Sequence, residues 1–120
     1  MKNFIKMTIF IFLIFTSTIQ PEMNYPYTAS DERSELIRVQ YMKIKIGDTE
    51  QMVVNLLTEP DEIFDLYEPK KHNPRVIGKT FWYIIQRMCK SCSANEKKEK
   101  LVRISFDLNG KVFEVTHWGF

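Results

Sequence analysis

"LVRISFDLNGKVFEVTHW", residues 101–118, alternates apolar and polar side chains on both sides of Asn109-Gly110. Strict alternation is the pattern of a half-buried strand, because successive side chains point to opposite faces. Asn-Gly between two such runs is a strong hairpin signal, since a type I′ turn needs positive φ at both central residues. A two-residue turn at 109 and 110 places Phe106 opposite Phe113, Ile104 opposite Val115 and Val102 opposite His117. One face is then Val102, Ile104, Phe106, Phe113 and Val115; the other carries Arg103, Ser105, Asp107, Glu114 and Thr116. The apolar face requires a cover.

Upstream, KTFWYIIQRM (79–88) is aromatic and β-branched with apolar residues on both faces, which suits a central strand. EIFDLY (62–67) reads as a short strand, and PKKHNPRVIG (69–78), with two prolines and a glycine, as a loop. IGDTEQMVVNLLTEP (46–60) reads as a short helix. Asp48 or Thr49 can cap it, Val53, Leu56 and Leu57 form one stripe, and Pro60 stops it. A helix of two to three turns is marginal alone and must dock. DERSELIRVQYMKI (31–44) is also read as a helix, with acids at its start and Leu36, Ile37, Tyr41 and Ile44 at helical spacing. The predicted fold is α+β: two short N-terminal helices packed on one face of a three- to four-stranded antiparallel sheet, spanning 31–120.

The first residues have another character. Lys2 and Lys6 precede the apolar run TIFIFLIF (8–15), and TSTIQPE follows, the layout of a secretory signal, assigned to 1–18. That run falls short of the roughly 20 apolar residues of a membrane span. Residues 19–30, with Pro21 and Pro26 and no periodicity, read as a flexible lead-in. No cysteine follows the apolar run to carry a lipid. The expected product is periplasmic or secreted, without stable membrane insertion of the mature domain. Loss of residues 1–18 leaves fifteen basic against fifteen acidic side chains, a neutral balance that argues against a nucleic-acid partner.

Several segments resemble the SmpA/OmlA (BamE-like) domain family. Gly47-Asp48-Thr49-Glu50-Gln51-Met52-Val53, followed by Leu56-Leu57-Thr58-Glu59-Pro60-Asp61, resembles that domain's "G-x-T-x-x-x-V…L-G-x-P" opening. Trp82-Tyr83 and the run from Ile104 to Val112 resemble its "W-x-Y" strand and "F-x-x-x-G-x-V" hairpin. The resemblance spans roughly residues 30 to 118. It implies a helical pair on a three-stranded antiparallel sheet, and a role in binding partner proteins without catalysis; the best-known members are outer-membrane lipoproteins that support β-barrel assembly, and the same small fold serves exported enzyme inhibitors. Two departures are plain: Thr58 stands where the family has a capping glycine, and the lipid-bearing cysteine is missing.

Cys89 and Cys92 are the two cysteines of the chain. A redox pair is one reading, but the 28 residues after Cys92 are too few to complete a thioredoxin-like fold. Metal binding would need His72 and His117 as well, and their spacing is not that of a zinc site. A disulfide shaping the loop between two strands, worth about 2 kcal/mol at best for so small a ring, is preferred in an oxidising compartment. No catalytic constellation and no cofactor motif is evident. The expected activity is binding to another envelope or secreted protein, with Tyr67, His72, Arg75, Trp118 and Phe120 as candidate surface residues. A thiol-active protein and an enzyme inhibitor are the alternatives.

Overall fold

The computed structural model describes residues 23–89 and 99–120. The order is β1 (Tyr27–Thr28), α1 (Asp31–Gln40), a 3-10 turn (Tyr41–Lys43), α2 (Glu50–Leu57), β2 (Glu62–Tyr67), β3 (Val76–Arg87), β4 (Lys100–Asp107) and β5 (Val112–Trp118). All strand pairings are antiparallel, and β3 is central: β4 pairs along one side, and β1 and β2 share the other, end to end. The sheet therefore has five strands, the fifth supplied by Tyr27–Thr28 from the stretch read as lead-in.

Both helices start as their sequences dictate. Ser30 Oγ accepts the Arg33 N–H, and Thr49 Oγ1 accepts the Met52 N–H. Thr49, not Asp48, is thus the cap of α2. The predicted first helix ends early, tightening into the 3-10 turn after Gln40. Ile37, Ile44, Val53 and Leu57 dock on Phe81, Tyr83 and Ile85 of β3 and on Val102, Ile104, Phe106 and Val112 of the hairpin. Each such side chain, fully buried, contributes about 1.5–3 kcal/mol. That one-sided core is what turns two marginal helices into a layer.

The hairpin departs from its sequence reading at its closed end. Asn109 is not among the positive-φ residues, whereas Gly110 has φ +75°. The Gly110 N–H donates to Asp107 O, and the Asp107 N–H to Lys111 O, at 3.0 and 2.9 Å. The loop is three residues, 108–110, with the glycine alone in left-handed space, the second commonest hairpin solution. The Asp107 carboxylate favours it by accepting the Asn109 and Lys111 N–H groups. A bulge follows, so that Phe106 pairs with Val112 and not with Phe113. Val112 enters the core, and Phe113 is 44% exposed. Val102–His117 and Ile104–Val115 pair as the alternation predicts.

An arginine binds the helices to the sheet. Arg33 donates from Nη1 to Thr58 Oγ1 (2.8 Å), and from Nη2 to Glu59 O (3.0 Å) and to Asp61 Oδ1 (3.1 Å). The other Asp61 oxygen accepts the Ile84 N–H at 2.6 Å, on the stretch of β3 edge between β1 and β2. Burial raises the Asp61 carboxyl above its usual range, outweighing the Ile84 N–H and Arg33, which both lower it. Thr58 has φ +69° and ψ −170°, and its carbonyl accepts the Tyr83 hydroxyl at 2.8 Å.

Candidate functional site

The helices cover one face of the sheet only. Strand alternation sends Glu62, Phe64 and Leu66 of β2, Thr80, Trp82 and Ile84 of β3, Leu101, Arg103 and Ser105 of β4, and Glu114, Thr116 and Trp118 of β5 to the other face. A bulge between Ile84 and Gln86 reverses the alternation and brings Arg87 to that face too. A groove of about 440 Å³ lies there, running from Leu66 to Trp118 over Thr80, Trp82 and Arg103.

Trp82 organises it. Phe64 meets the indole edge-on, with ring centroids 4.8 Å apart. The guanidinium groups of Arg103 and Arg87 lie 4.2 and 4.9 Å from the indole centroid. Cation–π contacts of this kind are worth about 0.5–2 kcal/mol, the more so when desolvated. Arg87 also pairs with Glu99 at 3.2 Å, both side chains nearly buried. Arg103 has no carboxylate within ion-pair distance among the described residues. Burial pulls the Arg103 guanidinium below its usual range, with Glu99 opposing and Arg87 reinforcing the effect. Arginine keeps its proton regardless. The buried Trp82 Nε1–H and Arg103 Nε–H find no acceptor among the described residues. On the groove floor Thr80 and Ser105 satisfy each other: the Ser105 hydroxyl donates to Thr80 Oγ1, which donates to Ile104 O.

The predicted surface residues fall into two groups. Tyr67, at the end of β2, and His72 and Arg75, in the loop between β2 and β3, are exposed at one end of the sheet. Arg75 there is paired with Glu68, which Lys70 also meets. Trp118 and Phe120 lie at the opposite end, beside Leu101 rather than Asp107. The separation along the strands is about 20 Å at 3.3 Å per residue, so the five residues do not make one surface. Trp118 borders the groove and pairs with Leu101. Phe120 turns to the helical side. Its ring packs 5.6 Å from Tyr41 and 5.2 Å from His117, with Arg38 over it. It anchors the C-terminus and is only 38% exposed.

Cys89 follows β3; Cys92 lies outside the described residues, and so does the predicted bond between them. Residues 1–22, with the predicted signal, also lie outside them. Among the described residues no group of three or more His, Cys, Asp or Glu is placed to hold a metal, and no helix is long and apolar enough to cross a membrane. His117 stacks on Tyr41 instead, at 5.3 Å.

None of Trp82, Arg87 and Arg103 is among the predicted surface residues. The signal available was weak: Trp82 and Arg103 occupy the polar-face parity of their strands, but only the β3–β4 register sets them directly opposite each other.

No protein-family model matches the sequence, and no curated protein does. A solved structure described as a putative osmotically inducible lipoprotein, OsmE, is similar to it, with a TM-score of 0.44 and 18% identity, covering 70% of this chain and 82% of that one.

Proposed function

We propose that this chain is an exported, noncatalytic module that binds another envelope or secreted protein through the open face of its sheet. The observation that carries the reading is the groove of about 440 Å³ on the sheet face that the helices leave uncovered, lined by Trp82 and Arg103 with Leu66 and Trp118. Tryptophan and arginine are also the side chains that most often dominate protein interfaces. The resemblance to partner-binding envelope domains agrees with this reading.

Site-specific photo-crosslinking tests it. A photoreactive residue at exposed Thr116, which borders the groove, should give a discrete protein adduct in the native envelope; one at Met42, 70% exposed in the 3-10 turn, should not. Adducts from Met42 and none from Thr116 would move the binding surface to the helical layer.

A further inference from the structure

We infer that β5 pairs with β5 of a second copy of this chain, joining the two sheets into one across a twofold axis at Thr116. The surface is a strand edge, separate from the open face proposed above, and the inference does not depend on that reading.

β5 is the last strand on its side of the sheet. In an antiparallel ladder the backbone groups of alternate residues point away from the neighbouring strand. Val112 is one of these. It donates to Asp48 O at 2.9 Å and accepts the Gly47 N–H at 2.8 Å, which closes that end of the edge. The bulge at Phe113 shifts the alternation by one residue, so the next outward N–H and C=O groups are those of Val115 and His117. No backbone group among the described residues meets them. Exposed edges are ordinarily protected by lysine, by proline or by a very short span. VFEVTHW has neither lysine nor proline and a single charge, Glu114, whereas EIFDLY of β2, at the opposite edge, carries Glu62 and Asp65. An unprotected edge is a template for another strand.

Self-complementarity points to a second copy as the occupant. Two identical edges pair antiparallel about an axis normal to the sheet, with the helices of both copies on one side. The register follows from the groups available. An axis at Glu114 sets like charges directly opposite each other, which is destabilising. An axis at Val115 lays the end of the second strand where Gly47–Thr49 already bond Val112 and Lys111. An axis at Thr116 sets Thr116 against its counterpart, Val115 against His117 and Glu114 against Trp118, with no like charges opposed. Each Val115 and each His117 then both donates and accepts across the seam. Residues 114–118 make a short seam beside the area of a stable interface, about 1,200 Å² or more, so the dimer is weak and reversible.

Sedimentation equilibrium of the exported protein should show one chain mass giving way to two as concentration rises into the millimolar range. Amide hydrogen exchange at Val115 and His117 should slow over the same range. Thr116→Glu opposes two carboxylates across the axis and keeps Arg103 beside it on β4, so it should weaken association about fivefold or more, with amide dispersion verifying the fold. Thr116→Cys should form an intermolecular disulfide on mild oxidation, because the paired Cα atoms there lie about 4.5 Å apart. Glu114→Cys, which has the same native cysteines, should not, its two copies standing about 13 Å apart along the strands. A protein that stays monomeric at millimolar concentration overturns the proposal. So does a dimer that Thr116→Glu leaves intact, growth beyond two copies, which would mark pairing of β5 with β2, or equal crosslinking of the two cysteine variants. Protection of Val115 and His117 only on addition of another envelope protein would also overturn it, giving the edge to a foreign strand. A Thr116 photo-adduct of twice the chain mass would support the dimer; adducts of other masses alone would overturn it and leave the protein-binding reading standing.

Discussion

Replacing Thr58 separates two effects that the native residue combines. Its φ of +69° with ψ of −170° belongs to a region of backbone space that is essentially glycine's own. A β-branched residue there stores about 1–3 kcal/mol, held in place by its neighbours. Here they are Val54 O, accepting the Thr58 N–H at 2.8 Å, Tyr83, donating to its carbonyl, and Arg33, donating to its hydroxyl. Thr58→Ala loses the hydroxyl bond, about 0.5–1.5 kcal/mol, and keeps a Cβ in the strained region. Thr58→Gly loses the same bond and releases the strain, but adds about 0.4–1 kcal/mol of unfolded-chain entropy. Subtracting the two leaves glycine ahead of alanine by about 1–2 kcal/mol. In a domain of this size that corresponds to roughly 5–15 °C in melting temperature. Circular dichroism melts and urea unfolding of both variants give the number directly. In an Arg33→Ala background the alanine variant should cost little more, while the glycine-over-alanine gap persists. An alanine variant as stable as the glycine variant would refute the reasoning, because it would mean that Thr58 is not strained.

Asp61 should make stability depend on pH in a definite sense. Its carboxyl is raised by burial, so the folded protein holds that proton to higher pH than the unfolded chain. The contribution is therefore complete below the unfolded carboxylate range and is lost as pH rises through the folded value. Asp61→Asn does not titrate; urea unfolding at pH 4 and pH 7 should show wild type gaining on the variant at the lower pH, and a smaller difference there would contradict the assignment. Gly78→Ala should unfold the sheet or cost at least about 3 kcal/mol, because its Cβ would lie 2.0 Å from Phe106 O on the paired strand; a variant with native amide dispersion would show that β3 and β4 can separate there. Cys89 and Cys92 should resist alkylation in the exported protein until a reductant is added, as mass spectrometry of labelled protein would show, and two thiols that label at once would remove the proposed disulfide.

The α+β layering was legible because it rests on periodicity. Val53 and Leu57 on α2, and Val102 and Ile104 on β4, declare their buried sides by spacing alone. The failures occur where one residue breaks the period. Phe113 was placed in the core by alternation, and a single-residue bulge put Val112 there instead. The same event at the Ile84/Gln86 irregularity carries Arg87 to the face of Trp82. The candidate site was less legible than the fold. Exposed loops and terminal aromatics drew attention to Tyr67, His72, Arg75 and Phe120, whereas the groove is built mid-strand.

Local chemistry, then, was sufficient to specify two capped helices, a glycine-dependent hairpin and an oily face that has to be covered. It was sufficient because caps, turns and alternation act over a few residues, within reach of the chain itself. The stacking of Trp82 between β2 and β4, the Arg33 bridge from α1 to Asp61, and the strain at Thr58 arise from partners 18 to 28 residues apart along the chain. Such contacts depend on strand register and helix docking, and those are set by the packing of the whole core.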